Sequence, residues 1–345
     1  MSTRLKIVTI GGGNGSFSLL AGLKKFDFNI NAIVAMTDDG GSTGRLRKEL
    51  GVLPPGDVRY CLSALSTLPE PWDKIWNYRF EDGGLRGHTA GNILLAGLEK
   101  FHGNFIKAVR AMEKLLLVKG KIIPATSDSV TLGVKLKNGK IIKGQHNINI
   151  YQNLQKEGVE KLFLSPKAKA NPKAVSAIQE ADIILIGPGN FYCSLLPTLI
   201  IQEIREAIVK SKAQVIFNCN LINRKDQTMG FGLDDYVDLI NQYLGANRID
   251  IAIINKKTIP PEIKKCLSVM DGDFVKHQKK LGQKKKYQVL EIDVLDKQCS
   301  SFSTADEIAY LRSPLRHDGE KVGKAILRIW KGQLKVKNAK FKRTI

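Results

Sequence analysis

The stretch KIVTIGGGNGSFSLLAGL at positions 6–23 decides the fold of this 345-residue chain. A short apolar run leads directly into a glycine-rich turn, and apolar side chains then recur at helical spacing. A strand that enters a helix through glycines is typical of the first turn of nucleotide-binding α/β domains. The same stretch is too short and too glycine-rich to be a secretory signal. We therefore take it as the first strand, loop and helix of an α/β sheet.

The alternation of strand and helix patterns extends along the chain. Strands are predicted near residues 5–10, 30–36, 182–186, 215–217, 249–254 and 289–292, and helices near 17–23, 58–68, 90–101, 105–117, 197–210, 233–244 and 320–330. Repeated strand–loop–helix units place the strands in parallel and cover both faces of the sheet. The predicted fold class is α/β, with a Rossmann-like, doubly wound and mostly parallel sheet.

One segment breaks this alternation. Apolar residues alternate over 130–136, and Asn138-Gly139 separates them from a second short apolar run. Asn-Gly between such runs is a strong hairpin signal, so we expect a small β-hairpin insertion at about residues 121–150. No internal repeat or linker is seen, which predicts one domain over residues 1–330 and a basic tail over 331–345.

The charge balance is strongly basic, with 54 Lys and Arg against 33 Asp and Glu and a formal net charge of +21. Such a balance attracts nucleic acid, anionic surfaces or phosphorylated ligands. The dense basic segments, 276–286 and 331–345, contain few aromatic residues for base stacking. We interpret them as a solvated basic surface and expect nucleic acid to bind only nonspecifically.

Composition also bears on membrane association, cellular compartment and metal binding. No apolar run reaches the ~18 residues of a membrane span, so no membrane partner is expected. Five cysteines are odd in number and lack CxxC spacing, which favours free thiols in the cytoplasm. The five histidines are scattered along the chain, so the sequence does not predict a zinc site.

The first candidate site is the glycine loop itself, formed by Gly11, Gly12, Gly13, Asn14 and Gly15. Glycines allow close backbone approach, and the helix that follows offers free amides to a phosphate. The match to a dinucleotide fingerprint is incomplete because position 16 is serine, and a P-loop lysine is absent. The loop is therefore either an anion-binding loop, which we favour, or only a tight turn.

The second candidate follows the second strand, where TDDGGSTGRLR occupies positions 37–47. Asp38 and Asp39 could hold Mg²⁺, accept a ligand hydroxyl or act as a base. Ser42 and Thr43 supply hydroxyls, and Arg45 could neutralise a phosphate. The alternative is a glycine-rich turn in which the aspartates cap their own backbone.

Further candidates lie at other loop–helix junctions. They are Asp57, Arg59, His88, Asn92, Gly187, Gly189, Asn190, Asn218, Asn220 and Arg316. Several have a structural alternative. Asp57 could be only an N-cap, His88 could be a structural histidine, and the asparagines could simply close loops. As functional groups, the arginines would offset phosphate charge, and the asparagines would read a base or sugar by hydrogen bonds.

Together these motifs resemble one family. GGGNG, TDDGGSTGRLR, PPGDVR, GHTAGN, IGPGNFYCSLLP and RHD, in this order over about residues 6–330, are similar to the YvcK-type gluconeogenesis factors of the 2-phospho-L-lactate transferase (CofD)-like superfamily. The chain departs from the family's usual residues at Asn14, at Tyr60 and over 220–232.

The resemblance implies a cytoplasmic regulatory protein that binds a nucleotide-sugar such as UDP-N-acetylglucosamine, or a dinucleotide. It would support cell-wall precursor supply and cell shape during gluconeogenic growth, with a cell-wall precursor enzyme as partner and a homo-oligomeric state. The alternative implied is a Mg²⁺-dependent transferase that moves a phospholactyl or phosphoenolpyruvyl group to a deazaflavin. In that case Asp38 and Asp39 would be the catalytic and metal-binding residues.

Overall fold

The computed structural model describes residues 4–256, 260–277 and 286–333. The strands of this part of the chain are β1 (Leu5–Gly11), β2 (Phe28–Val34), β3 (Lys121–Pro124), β4 (Thr131–Leu136), β5 (Ile141–Lys143), β6 (Val159–Ser165), β7 (Ile183–Ile186), β8 (Gln214–Asn218), β9 (Ile222–Arg224), β10 (Ile251–Asn255), β11 (Asp271–Phe274) and β12 (Gln288–Ile292).

The α-helices are α1 (Gly13–Leu23), α2 (Gly41–Leu50), α3 (Pro55–Leu65), α4 (Trp72–Asn77), α5 (Ala90–His102), α6 (Phe105–Leu115), α7 (Gln145–Ile150), α8 (Leu154–Glu157), α9 (Pro172–Gln179), α10 (Leu196–Leu199), α11 (Gln202–Lys210), α12 (Leu233–Leu244), α13 (Pro261–Lys264) and α14 (Gly319–Trp330). A π-helical turn (Phe191–Leu195) precedes α10, and a 3₁₀ turn (Ala309–Leu311) precedes α14.

The main sheet has seven strands in the order β12-β10-β8-β7-β1-β2-β3. Each paired strand in it runs parallel to its neighbour. The chain moves outward from β1 to β3 on one side and from β7 to β12 on the other, so the topology switches between β1 and β7. This confirms the predicted doubly wound, mostly parallel sheet, and ligands of such sheets bind at the switch point.

Both faces of the sheet are covered because its strands are apolar on both sides. One buried cluster joins the sheet to α1, α3 and α14, and the other joins it to α9, α11 and α12. β7 is buried throughout, as expected for a central parallel strand. This packing fixes the strand ends and therefore the loops that follow them.

The predicted hairpin is present, but the inserted sheet is larger than expected. β4 pairs antiparallel with β5 across the Asn-Gly turn and with β6 on its other edge, giving a three-stranded sheet. β3 lies within the range expected for the insertion, yet it pairs with β2 in the main sheet. The insertion therefore begins after residue 124, because the apolar run at 122–123 completes the edge of the parallel sheet.

The helix expected from residue 58 begins earlier, at Pro55. Proline is favoured at the first helical position because its missing amide needs no partner there. The N-cap is Pro54, so the interpretation of Asp57 as the N-cap is wrong. Asp57 lies in the first turn and is buried, which brings its carboxyl group to the carboxyl edge of the sheet. Asp318, by contrast, does cap α14.

The cysteine expectation is wrong for one pair. Cys266 and Cys299 form a disulfide with their Cα atoms 6.3 Å apart. The bond joins the end of α13 to the segment after β12, and the two cysteines are 33 positions apart in sequence. No local spacing could reveal this pairing. Cys61, Cys193 and Cys219 are free and buried.

The two basic segments identified in the sequence fall largely outside the described residues. Of the segment 276–286, the structure describes only 276, 277 and 286, and of the tail only 331–333. Within the described part of the chain, no helix is long and apolar enough to cross a membrane.

Candidate functional site

A cavity of about 260 Å³ lies at the carboxyl edge of the main sheet, at the switch point between β1 and β7. Its wall includes the loops after β1, β2, β7 and β8 and a late segment at 306–317. We call it the carboxyl-edge pocket. The predicted site residues that line it are Gly12, Gly13, Asn14, Gly15, Asp38, Ser42, Thr43, Asp57, Arg59, Asn92, Gly189, Asn190, Asn220 and Arg316.

The glycine loop forms one wall of this pocket. A side chain at Gly15 would place its Cβ atom 2.6 Å from the carbonyl oxygen of Pro188, so glycine lets the loops after β1 and β7 approach each other. Gly13 has a φ of +62°, a conformation that glycine adopts readily. Gly11 is in β1, behind the lining residues. The loop is thus shaped by close backbone packing at the pocket wall.

Several helices begin at the pocket. The first residues of α1, α2 and α3 line it, as does Asn92 in the first turn of α5. The first amides of a helix have no partner within the helix, and the helix dipole is positive at this end. The convergence of these helix starts favours an anionic ligand.

The two adjacent aspartates have different roles. Asp38 lines the pocket, and its Oδ1 atom accepts a hydrogen bond from the amide of Gly40 at 3.2 Å. The carboxylate of Asp39 accepts hydrogen bonds from the amides of Gln145 at 3.0 Å and His146 at 2.7 Å. Asp39 does not line the pocket, but it holds the start of α7, where Gln145 and His146 do. Its catalytic or metal-binding role stays a prediction.

Asp57 provides the second pocket carboxyl group. Burial, together with the nearby charge of Asp38, raises the pKa of Asp57 to about 7. Burial also raises the pKa of Asp38. Because two close carboxylates repel each other, the pair retains a proton more readily than isolated aspartates would. The pocket therefore contains a carboxyl group whose protonation changes near neutral pH.

Arg59 is held in place by a chain of hydrogen bonds. Its Nε atom donates to Asn92 Oδ1 at 3.0 Å, and the Asn92 side-chain amide donates to Ser42 Oγ at 3.0 Å. Ser42 Oγ lies 2.9 Å from Nδ1 of His88. His88 is buried behind Ser42 and does not line the pocket, so it positions Ser42 from behind. Burial, then the charge of Arg45, lowers the pKa of His88 and favours the neutral ring.

A second group of arginines surrounds Tyr60 and Asp306. Arg312 bonds to the Tyr60 hydroxyl and to Asp306, with 3.0 Å between Arg312 Nη1 and Asp306 Oδ2. Arg79 reaches the same Asp306 oxygen at 3.1 Å. The guanidinium of Arg59 lies 4.1 Å from the centroid of the Tyr60 ring. Burial alone would raise the pKa of Tyr60, but the charges of Arg312 and Arg59 outweigh it and lower that pKa.

Arg316 is placed at the pocket as the sequence predicted. Its Nη1 atom donates to the carbonyl of Leu315 at 2.7 Å, and burial lowers its pKa to about 10. Arg45 is not at the pocket wall. Its Nη2 atom donates to the carbonyl of Arg86 at 2.6 Å and lies 3.5 Å from Glu307. α2 turns the guanidinium of Arg45 toward the Arg86 loop, and its role in neutralising a ligand phosphate stays a prediction.

The part of the lining that follows β7 and β8 is rich in amides. Asn190 Nδ2 donates to Asn149 Oδ1 at 2.8 Å, and Asn220 Nδ2 donates to the carbonyl of Gly189 at 3.0 Å. Within the described residues, buried polar atoms without a partner occur on this wall: Asn220 Oδ1, Gln227 Nε2 and Arg224 Nε. Such atoms are costly unless a ligand or water pairs with them. They offer both an acceptor and donors to a neutral polar group.

Two further predicted site residues do not line the pocket. Asn218 is fully buried at the end of β8, and its role in reading a base or sugar stays a prediction. Gly187 is likewise behind the lining, where its backbone packs against the carbonyl of Asn218. Gly187 and Asn218 lie at the ends of β7 and β8, two positions before the lining residues Gly189 and Asn220.

The donor set can be compared with what Mg²⁺ requires. This ion is usually held by one or two carboxylates together with water and substrate phosphates. Asp38, with the Thr43 hydroxyl bonded to it, and Asp57 meet that description. In the part of the chain described, no group of three or more His, Cys, Asp or Glu side chains could hold a metal alone. Asp38 and Asp57, two of the carboxyl groups that line the pocket, fit a Mg²⁺ shared with a phosphorylated ligand.

Fold and pocket agree with a family-level comparison. The family model of 2-phospho-L-lactate transferase CofD matches residues 7–295. The chain therefore belongs to the CofD family.

Particular relatives refine this placement. The gluconeogenesis factor of Bacillus subtilis is 34% identical over 337 residues, which are 96% of this chain and 100% of that protein. That of Listeria innocua is 36% identical over 327 residues, 94% of this chain and 95% of that protein. A crystal structure of a Bacillus halodurans protein superposes with a TM-score of 0.85 at 34% identity and covers 94% of this chain and 100% of its own. The resemblance to the YvcK-type gluconeogenesis factors is confirmed.

Sequence reasoning missed several residues of the pocket. Arg79, Asn149, Arg224, Gln227, Asp271, Asp306 and Arg312 all line it. Most lie far from the glycine-rich motifs and arrive through tertiary folding, so no local pattern marks them. Arg312 was the most accessible to prediction, because it lies four residues before Arg316 in the same late segment.

Proposed function

We propose that the protein binds a nucleotide-sugar, with UDP-N-acetylglucosamine as the reference ligand, and acts as a regulator. The observation that carries the proposal is the convergence of the glycine loop and several helix starts on a pocket that also contains buried arginines. Free backbone amides and guanidinium groups are the two protein groups best suited to a diphosphate.

The pocket walls suggest how such a ligand would lie. The pyrophosphate would be seated against Gly12–Gly15, with Arg59 and Arg312 offsetting its charge. The amide-rich wall, with unpaired atoms on Asn220 and Gln227, would pair with the sugar or the base. The first wall would donate hydrogen bonds to the phosphate oxygens. The amide-rich wall would both donate hydrogen bonds to the sugar or base and accept them from it.

The cellular role that we propose rests on the relatives. Proteins named gluconeogenesis factor match the chain over nearly its whole length. We propose that the protein works in the cytoplasm and, with nucleotide-sugar bound, adjusts a cell-wall precursor enzyme. It would thereby support precursor supply and cell shape when cells grow on gluconeogenic carbon.

A second function is favoured by the carboxyl pair. With a pKa of about 7, Asp57 could accept a proton from an attacking hydroxyl at neutral pH. A CofD-type transferase would use it in this way while moving a phospholactyl or phosphoenolpyruvyl group to a deazaflavin. Asp38 would orient the hydroxyl, and the arginines would stabilise the displaced phosphate. Mg²⁺, when bound, would supply further neutralisation of phosphate charge.

Thermal unfolding with added ligands tests the first function. Binding to the folded state alone must stabilise it, by about 2.7 kcal/mol at a ligand concentration of 100 Kd. We expect UDP-N-acetylglucosamine and UDP-glucose to raise the Tm more than NAD⁺ or GDP does. No rise with any UDP-sugar at millimolar concentration would overturn the proposal.

Turnover separates the second function from the first. The protein is incubated with Mg²⁺, a deazaflavin acceptor and a nucleotide-activated phospholactyl donor, and the phosphorylated acceptor is sought by mass spectrometry. Product that disappears in Asp57→Asn would support a transferase. Stabilisation by UDP-sugars without product supports the regulator.

A further inference from the structure

A second groove lies on the same sheet, away from the carboxyl-edge pocket. It has a volume of about 600 Å³ and is formed over the first residues of β1, β2 and β3. α6 and α9 form its walls. None of its lining residues is shared with the carboxyl-edge pocket. We call it the amino-edge groove.

The floor of the amino-edge groove is polar where a doubly wound sheet is normally apolar. Lys6 lies beside Asn29 in the strand register, and Asn31 lies beside Lys121. Asn29 and Lys121 are exposed, whereas Phe28 and Ile30, on the other face of β2, are buried. Sheets of this kind usually carry helices on both faces. At this edge, one face of the sheet is uncovered by the described residues.

The walls of the groove are faces of α6 and α9 on which a further helix could pack. α6 presents Ile106, Arg110 and Lys114, spaced four residues apart along one face. α9 presents Ser176 and Ala177, whose small side chains permit close approach. Residues spaced in this way share a helix face, and helices pack with their axes 8–10 Å apart.

The two walls of the groove add apolar surface. Ile106 on α6 and Ala177 on α9 are partly exposed, whereas Ile123 is only 6% exposed and packs in the core. Apolar surface within a charged rim is the usual composition of a protein interface. The groove therefore has the makeup of a docking surface for a protein segment.

The rim of the groove is positive. Arg110, Lys114, Lys121 and Lys173 are exposed around it. Five cationic side chains outnumber the two carboxylates of its lining. Glu113 accepts a hydrogen bond from the amide of Ile122 at 2.6 Å. Glu180 accepts one from Ser176 at 3.0 Å and lies 3.4 Å from the Lys6 ammonium. The groove consequently favours a negatively charged occupant.

Other occupants fit less well. The segments 278–285 and 334–345 of this chain contain lysines and an arginine but no Asp or Glu, so charge repulsion opposes their binding. A second copy carries the same net charge of +21. Nucleic acid would gain no stacking, because all the residues lining this groove are described and none is aromatic.

We propose that the amino-edge groove receives a helix of a partner protein, with acidic residues flanking an apolar stripe. The apolar stripe would lie on Ile106 and Ala177, and its acidic residues would meet the lysines and Arg110. This docking completes the missing helical layer of the sheet. It is independent of the nucleotide proposed for the carboxyl-edge pocket.

The test uses full-length protein and fluorescence anisotropy of a short labelled helical peptide with leucines on one face and glutamates beside them. A scrambled peptide of the same composition measures the importance of the helical pattern. The groove variant is Arg110→Glu with Lys121→Glu. Its control is Lys48→Glu with Lys264→Glu, which changes the net charge equally at exposed positions outside the groove. Ser176→Trp fills the groove without changing charge.

We expect the groove variant and Ser176→Trp each to weaken peptide binding about tenfold or more, the control less than about twofold, and the scrambled peptide to bind poorly. Circular dichroism and the Tm establish that each variant is folded. Equal losses in the groove and control variants would mean binding by bulk charge and would overturn the proposal. Equal binding of the scrambled peptide, displacement by single-stranded RNA but not by the acidic helix, or no binding at all would also overturn it.

Discussion

The pocket and the groove lie at opposite edges of the parallel sheet and share β1 and β2, yet they present different chemistry. At the carboxyl edge, backbone amides and buried, mutually bonded side chains enclose the pocket. At the amino edge, long exposed cations surround an open groove. The first surface depends on close packing of the backbone, and the second depends on net charge. Steric changes should therefore impair the pocket, whereas charge and salt should impair the groove.

The largest effect is expected from Gly15→Ala. The new Cβ atom would lie 2.6 Å from the carbonyl oxygen of Pro188, and a backbone atom cannot rotate away. We expect a loss of about 1–3 kcal/mol of unfolding free energy and a loss of about 100-fold or more in nucleotide-sugar affinity. Urea unfolding and calorimetric titration measure the two quantities.

Gly97→Ala is the matched control. Gly97 lies within α5, and no atom lies within 4 Å of the position that its Cβ would take. Alanine should stabilise this helix by up to ~1 kcal/mol and leave affinity unchanged. If Gly15→Ala behaves like Gly97→Ala, the pocket does not depend on close approach of the two loops.

A second effect is the pH dependence that Asp57 imposes. Its pKa is about 7 in the folded protein, against about 3.9 for an aspartate in an unfolded chain. The folded state thus binds the proton more tightly, and its stability falls as pH rises from ~4 to ~7. Each tenfold change in proton affinity is worth about 1.4 kcal/mol, so roughly 2–4 kcal/mol is at stake.

Asp57→Asn should remove this dependence. Urea unfolding at several pH values should give a flatter curve for the variant, which is more stable than the wild type near pH 8. His317 acts in the opposite sense, because burial lowers its pKa to about 4 and its contribution to stability is lost as pH falls below ~6.5. The difference between variant and wild type cancels the His317 contribution. Parallel curves for the two proteins would refute a protonated Asp57.

Asp57 and Arg312 show what the sequence could and could not predict. The fold followed from local patterns: apolar strands, glycine turns and helix starts are encoded within a few residues. Asp57 was identified as a candidate, but the helix was expected only from residue 58, whereas it begins at Pro55 and carries Asp57 inward. Arg312 was missed, because its meeting with Tyr60 joins positions 252 residues apart.

The sequence also could not predict which way individual side chains point. Asp38 and Asp39 are neighbours, and their composition gives no means of telling which one faces a ligand. The structure separates them because the start of α7 lies beside Asp39. Likewise Arg45 is next to the predicted loop but points toward Arg86, whereas Arg316, far along the chain, reaches the pocket.

A third, smaller effect separates these two aspartates. Asp38→Asn should weaken Mg²⁺-dependent binding of a nucleotide-sugar about tenfold and keep the fold, because it removes a pocket carboxylate. Asp39→Asn should reduce unfolding free energy by about 1 kcal/mol, through weaker bonds to the start of α7, and leave affinity within about twofold. Calorimetric titration and urea unfolding of both variants would expose a reversed assignment.

The smallest effect concerns nucleic acid, and it would sharpen the contrast between packing and charge. Neither basic segment has aromatic interleaving, so we expect weak, sequence-blind binding of DNA or RNA. For duplex DNA, affinity should fall with a log–log salt slope of about −0.9 per phosphate neutralised and fade near physiological salt. Residues 331–345 contain five lysines, one arginine and no Asp or Glu. Deleting them should reduce that slope while nucleotide-sugar affinity stays the same, since the pocket is lined by residues before 318. Filter binding across a salt series measures the slope. Tight binding to one sequence that survives competitor at physiological salt would instead establish a dedicated nucleic-acid site.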